Sequence, residues 1–346
     1  LRSTTLDSYR TGKPQWRNIL DVDALAKAEG KHWVYKGSTC LPPDDRLCLI
    51  SLSDGGKDAV EVREFDIQTG QFVKDGFLLP EGKHRVDWVD ADTLAVATEW
   101  TKGEVTTSGY PYVIKLLKRG QALADGSEVF RGKADDGGYG VSPIALRDAD
   151  GKLQALIAHR PLDTFNAEHH LITEAGAKRL PLPLRSSIQG LLDGQVLLTL
   201  EEDWTAQSGK SGDLMALNLA ELKSEADEPK AALVLRPTDS QSVEQVATTR
   251  NRLVVALYDN VKGGVLSFRH DDKGWTSTKL DLPADISVGI ASASDHDDRL
   301  ILQVAGFLTP STQLLADAAS GARETLRTMP ARFDASQQVV EQHWAI

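Results

Sequence analysis

Six short apolar runs recur along the chain: "LCLISLS" from Leu47, "TLAVATE" from Thr93, "LQALIAH" from Leu153, "QVLLTLE" from Gln195, "RLVVALY" from Arg252 and "RLILQVA" from Arg299. Their starts are 42 to 60 residues apart. Each run is too short for a typical helix and rich in Leu, Val and Ile, as a buried strand should be. Each follows a turn: "PPDD", "DAD", "DADGK", "LDG", "TRN" and "DHDD". Asp, Asn and Gly suit such turns because they tolerate positive φ or bond their own backbone. A further candidate strand precedes each turn, for example "VYKGSTCL" or "HRVDWV", and two more follow each run. Third strands include "AVEVREFDI", "YPYVIKLL" and "GVLSFRHD"; fourth strands include "SEVFRG", "KRLPLP" and "ETLRTMP". Four strands per unit of roughly 50 residues describe a β-propeller blade. A solenoid with one strand per repeat needs a shorter period, and a β-sandwich does not repeat its turn chemistry six times.

The expected fold class is therefore all-β, a seven-bladed propeller of six complete four-stranded blades plus a partial first blade. "TTLDSYRTG" followed by "QWRNILDVD" reads as third strand, turn and fourth strand of that partial blade, over residues 1–23. "DALAKAEG", within 24–30, reads as a short helical linker stopped by Gly30. Blades two to seven occupy 31–333. Residues 334–346 then lead onward, with Val339 to Ile346 reading as the start of a new strand. The chain is thus expected to be a piece of a longer protein.

Composition narrows the function. The chain is 41% hydrophobic and 26% charged, and no stretch approaches the roughly 20 apolar residues that a spanning helix needs; no membrane partner is expected. Its net charge of −11 argues against nucleic acid, which calls for basic faces. Two cysteines, Cys40 and Cys48, rule out a disulfide scaffold. They lie across a hairpin turn, so a bridge is geometrically possible. The expectation is nevertheless two reduced core thiols and a cytoplasmic location, with a leader upstream of Leu1 left open.

No local motif carries chemistry. A G-x-S-x-G elbow is absent, and "GKSGD" from Gly209 lacks the P-loop glycine, Trp204 standing in its place. "DADGK" from Asp148 resembles the start of a calcium loop, but His159 occupies the position that requires a bidentate Glu. His169 and His170 are strand neighbours and point to opposite faces, as do Glu201 and Glu202. His296 sits in a turn of the repeated kind. Trp33, Trp88, Trp100, Trp204 and Tyr139 could line a ligand surface, although large aromatics in β repeats more often pack blade against blade. No catalytic residue, cofactor or metal ligand is assigned.

Two long stretches carry a resemblance. "RNILDVDALAKAEGKHWVYKGSTCLPPDDRLCLISLSDGGKDAVEVREFDIQTGQFV" from Arg17 and "VAGFLTPSTQLLADAASGARETLRTMPARFDASQQVVEQHWAI" from Val304 resemble the amino-terminal propeller of the prolyl oligopeptidase family of serine peptidases. "LSDGGKDAVEVREFDIQTG" from Leu52, "FLTPST" from Phe307 and "FDAS" from Phe333 are the most specific parts. The resemblance implies a propeller that lids an α/β-hydrolase catalytic domain of the same chain and restricts it to short peptides cut after proline. It also implies that Ser, Asp and His of the triad lie beyond Ile346, so that this chain is inert by itself. Residues 120–230 match mainly by strand pattern, and no peptide-contacting position is carried over. The alternatives are a stand-alone propeller used as a protein-interaction platform, whose half blade would leave strand edges exposed, and a propeller glycosidase, for which no Asp/Glu/His concentration is visible.

Overall fold

The computed structural model describes residues 1–224 and 229–343. They fall into two compact units, one of 1–4, 16–186 and a segment from Leu222, the other of 5–15, 187–221 and the chain from Pro229.

In the first unit, β1 (Arg2–Ser3) pairs with β2 (Arg17–Asn18) as a two-stranded sheet, the partial blade. The intervening α1 (Leu6–Arg10) belongs to the second unit. After β2, α2 (Val22–Glu29) is capped by the Asp21 carboxylate, which accepts from the Ala24 N–H at 2.9 Å, and ends on left-handed Gly30. Three antiparallel blades follow. The first has β3 (Trp33–Cys40), β4 (Leu47–Asp54) and β5 (Val60–Asp66), with β6 (Gln71–Phe72) and β7 (Leu78–Gly82) sharing the outer side of β5. The second comprises β8 (Arg85–Asp90), β9 (Thr93–Ala97), β10 (Val113–Lys118) and β11 (Ser127–Arg131). The third comprises β12 (Ser142–Arg147), β13 (Leu153–Pro161), β14 (Ala167–Thr173) and β15 (Gly176–Arg179).

The second unit also holds three blades. They are built from β16 (Ser186–Leu192), β17 (Gln195–Leu200), β18 (Leu214–Asn218) and, after α3 (Leu219–Lys223), β19 (Ala231–Leu235); from β20 (Gln241–Thr248), β21 (Leu253–Asp259), β22 (Lys262–Asp271) and β23 (Gly274–Lys279); and from β24 (Ile286–Ala293), β25 (Arg299–Gly306), β26 (Thr312–Asp317) and β27 (Arg323–Thr328).

The six apolar runs are the second strands β4, β9, β13, β17, β21 and β25. Their burial is nearly continuous, as in β9 and β21, because neighbouring strands and sheets cover both faces. The turns before them behave as their chemistry predicts: Asp45 (φ 49°) and Asp193 (φ 47°) adopt positive φ.

Four expectations are corrected. Residues 6–10 are helical, not a third strand: the Thr5 hydroxyl accepts from the Ser8 N–H at 3.1 Å, and Asp7 and Arg10 sit at the helix ends that favour their charges. Cys40 and Cys48 are not free thiols. The register of β3 and β4 sets them directly opposite each other, and they form a disulfide. The fourth strand expected from Lys178 runs instead over Gly176–Arg179, because Pro181 and Pro183 have no N–H for the ladder. Residues 339–343 form no strand, and Trp344 to Ile346 lie outside the described residues.

Candidate functional site

The two ends of each sheet are built differently. At one end, short turns join first to second strands, as at 91–92, 148–152 and 193–194. At the other end lie the second-to-third-strand connections, including the long loops 98–112 and 201–213, together with every passage from one blade to the next. Loops held on a rigid scaffold are where binding groups concentrate.

In the first unit this end carries an aromatic and cationic cluster. The 106–110 turn is closed by the Thr106 N–H donating to the Tyr110 carbonyl and the Tyr110 N–H to the Thr106 hydroxyl, and it presents the Tyr110 ring. The Lys83 ammonium sits 3.8 Å from the ring centroid and donates to the Ser108 carbonyl at 3.3 Å. The Arg85 guanidinium lies 5.8 Å from the same centroid. Tyr139 meets Tyr110 edge-on at 5.7 Å and is 64% exposed. Its seat depends on Gly140, whose φ is +76° and where a Cβ would stand 2.4 Å from the Pro111 carbonyl oxygen. Arg85 donates to the His84 carbonyl at 3.3 Å, and among the described residues neither Lys83 nor Arg85 has a carboxylate partner.

A second cluster lies beside it on β13 and β14. Arg160 pairs with Asp136 at 2.6 Å and Glu168 at 3.0 Å; Glu168 also meets His170 and Arg179. Burial works against ionisation of Glu168, but its bond from His170 and the Arg179 and Arg160 charges hold its pKa below the usual value. His159 Nδ1 and His169 Nε2 are 3.2 Å apart. Burial pushes the pKa of His169 down to about 3 and also lowers that of His159. His169 Nδ1 is buried without a partner. A proton on His169 Nε2, donated to His159, therefore avoids an orphaned buried N–H. This is a neutral, closed pair rather than a reactive one. His84 is similar: Nδ1 faces the Thr98 hydroxyl at 2.9 Å and Nε2 the Pro80 carbonyl at 2.6 Å, with both side chains buried.

The second unit offers a groove instead. Loop 307–311 and residues 329–335 enclose about 540 Å³, lined by Phe307, Leu308, Met329, Arg332 and Phe333. Phe307 is 85% exposed and Met329 54%.

Most sequence candidates prove structural. Trp33 donates to Glu29 at 2.7 Å, Trp88 to the Thr39 carbonyl at 2.9 Å and Trp100 to the Val113 carbonyl at 3.1 Å. Trp204 forms a lone bridge with Gly209. In "GKSGD", the Asp213 carboxylate is buried against Arg236 at 2.6 Å and accepts from the Lys210 N–H. Asp148 folds its own turn by accepting from Asp150, Lys152 and Gln154. His169 and His170 do face opposite ways, His169 toward His159 and His170 toward Phe130. Of the named aromatics, Tyr139 alone stands open. Lys83, Arg85 and Tyr110 were not singled out; the available signal was the i, i+2 spacing of the two cations, which puts both on one face of an extended chain.

Residues 1–329 match the family model for the prolyl oligopeptidase N-terminal β-propeller domain. The chain belongs to that family. An uncharacterized peptidase of Sinorhizobium fredii is 46% identical, matched over 99% of this chain and 48% of its own length. An uncharacterized peptidase of Rickettsia prowazekii is 28% identical over 99% of this chain and 49% of its own. Among solved structures, a post-proline cleaving enzyme from Rickettsia typhi is similar with a TM-score of 0.88 and 28% identity, over 99% of this chain and 51% of that one. Oligopeptidase B from Trypanosoma brucei, at 16% identity and a TM-score of 0.67, shares the fold. This propeller thus spans about half the length of the relatives it matches. The groove at 307–335 lies where the family match ends.

Proposed function

We propose that this chain is the gating propeller of a serine peptidase that hydrolyses short peptides after proline, and that it lacks the catalytic triad itself. In this reading residues from 334 onward begin the connection to an α/β-hydrolase domain, and the propeller limits substrate size, since a folded protein cannot pass a gate that admits an extended peptide. The observation that carries the proposal is the match of nearly the whole chain, at a TM-score of 0.88, to half of an enzyme described as post-proline cleaving. The exposed apolar groove beside the end of the family match supports it, because such a surface suits coverage by another domain. Nucleophilic catalysis needs a nucleophile with a base in reach, and the hydroxyl–imidazole pair of Thr98 and His84 is sealed in the core. Among the described residues no helix is long and apolar enough to cross a membrane. The disulfide removes the thiol argument for a cytoplasmic location.

The test compares this chain with the longer protein that contains it. The longer protein should cleave a short proline-containing reporter peptide and spare the same sequence inside a folded protein. This chain alone should do neither and should stay unlabelled by a serine-directed fluorophosphonate. Stoichiometric labelling of a serine in this chain would overturn the assignment, and equal cleavage of the folded protein would overturn the gate.

A further inference from the structure

Lys83 and Arg85 form a like-charged pair converging on one aromatic ring in a chain of net charge −11. Among the described residues, six of the eleven arginines in the first unit hold carboxylates: Arg46, Arg63, Arg119, Arg131, Arg160 and Arg179. Here a carboxylate reaches the ring's hydroxyl: Tyr110 donates to Asp58 at 3.4 Å. The Lys83 ammonium is also preplaced, held against the ring face and the Ser108 carbonyl, so that little side-chain freedom remains to be lost when an anion arrives. Tyr139 is exposed and meets the same Tyr110 ring that the two cations flank. The cluster lies at the loop-bearing end of its blade, between β7 and β8 and the 98–112 loop.

We propose that Lys83, Arg85, Tyr110 and Tyr139 form a docking subsite for the carboxylate of a peptide substrate, the two cations meeting the anion and the tyrosines packing against the adjoining peptide. The proposal rests on the peptidase reading and adds to it a charge preference that the acidic chain as a whole would oppose. A carboxylate can come from the peptide's C-terminus or from an Asp side chain, and the two are tested separately.

The experiment uses the longer protein and two matched peptide pairs, one with a free or an amidated C-terminus and one with Asp or Asn at a position after the cleaved proline. The readout is the ratio of kcat/KM, acid over neutral, within each pair. A ratio of about threefold in favour of the acid is expected for at least one pair, given the modest strength of exposed ion pairs, and it should shrink toward one at high salt. K83Q/R85Q should bring the ratio near one. Because the ratio cancels the amount of folded enzyme, partial misfolding of the variant does not hide the result. The salt dependence needs no variant at all. Equal rates for both pairs in the unaltered protein, a ratio below one, or a ratio unchanged by K83Q/R85Q overturns the subsite while leaving the peptidase reading intact. A protein that cleaves none of the peptides overturns both.

Discussion

The two units solve the same packing problem with different chemistry. Each holds three blades and must tie each blade to the next. In the first, apolar clusters cross from blade to blade, as Leu79 with Trp88 and Leu94 and as Ile114 with Leu156, and buried polar ties are added to them. Glu64, whose side chain is fully buried, is held by Arg119 at 2.7 Å and accepts from the Phe77 N–H. Asp87 on β8 accepts from the Ala145 N–H on β12 at 3.0 Å, and burial raises its pKa. His84 and His169 add buried imidazoles and His159 a half-buried one. In the second unit the ties are mostly apolar. Val254, Val265, Ile286, Leu302 and Leu314 form one cluster across two blades; its buried polar links are neutral, such as the Ser267 hydroxyl donating to the Ala318 carbonyl at 2.6 Å, and the carboxylates that link blades, Asp298 with Thr249 and Asp193 with His270, keep solvent contact. A buried charge depends on its partner and on pH, whereas a packed hydrocarbon depends on volume. The units should therefore fail under different insults.

The largest expected effect is on volume. Leu302→Ala, at a fully buried position, should destabilise the second unit by about 3 to 4 kcal/mol. Native-state hydrogen exchange should show the loss in β24–β26 well before it reaches β12–β14. A loss spread evenly over both units would erase the contrast.

Arg119→Met tests the polar side. It strands the Glu64 carboxylate in the core and should cost roughly 2 to 3 kcal/mol, below the range for fully buried pairs because Arg119 keeps some solvent contact. Adding Glu64→Met should recover part of that loss. If the double variant is as unstable as the sum of the singles, the pair is not what links these blades.

Acid should separate the units next. The pKa of a buried neutral His is depressed in the fold, so its stabilisation is complete above the unfolded value of about 6.5 and falls as pH drops toward the folded one. For His169 that window runs from about 6.5 to about 3. The slope is at most about 1.4 kcal/mol per pH unit per histidine. Exchange protection of β12–β14 should fall between pH 7 and pH 5, and protection of β20–β25 should change less. H169F should flatten the response. Arg160, Glu168, Arg179 and Asp136 gather on the opposite face around His170, whose own pKa burial also lowers; the Glu168 and Asp136 carboxylates, held below their usual values, lose stabilisation only as pH falls through about 4.5, outside the pH 7 to 5 interval. Equal acid sensitivity in both units would contradict the comparison.

The smallest effect concerns the groove. With Phe307 and Phe333 open, this chain alone should self-associate weakly, and F307S/F333S should reduce the association. Sedimentation over a hundredfold range of concentration measures it; a strict monomer throughout would mean that the groove is not an interface surface.

The blade pattern was legible because it is written locally. Periodic Leu, Val and Ile in short runs, with Asp and Gly between them, need no knowledge of what lies across the sheet. The helix at 6–10 is legible too, in the Thr5 cap and Asp7, but Thr4, Thr5 and Tyr9 favour strands and agree with the repeat, which masks the cap. The aromatic candidates split along the same line. Whether Trp88 or Tyr139 meets solvent depends on the strand opposite, and a repeat count does not contain that.

By itself the sequence determined the class of fold, the number of complete blades and the residues of their second strands, since these follow from short-range periodicity and turn chemistry. Tertiary structure decided what meets across long separations. It alone placed Lys83 on Tyr110 and Tyr110 on Tyr139, set His159 against His169 in a space with no partner for the second nitrogen, and aligned Cys40 with Cys48 in a bond rather than leaving two thiols. Each of these depends on register or loop approach, where a shift of one residue turns a side chain to the other face and dissolves the contact.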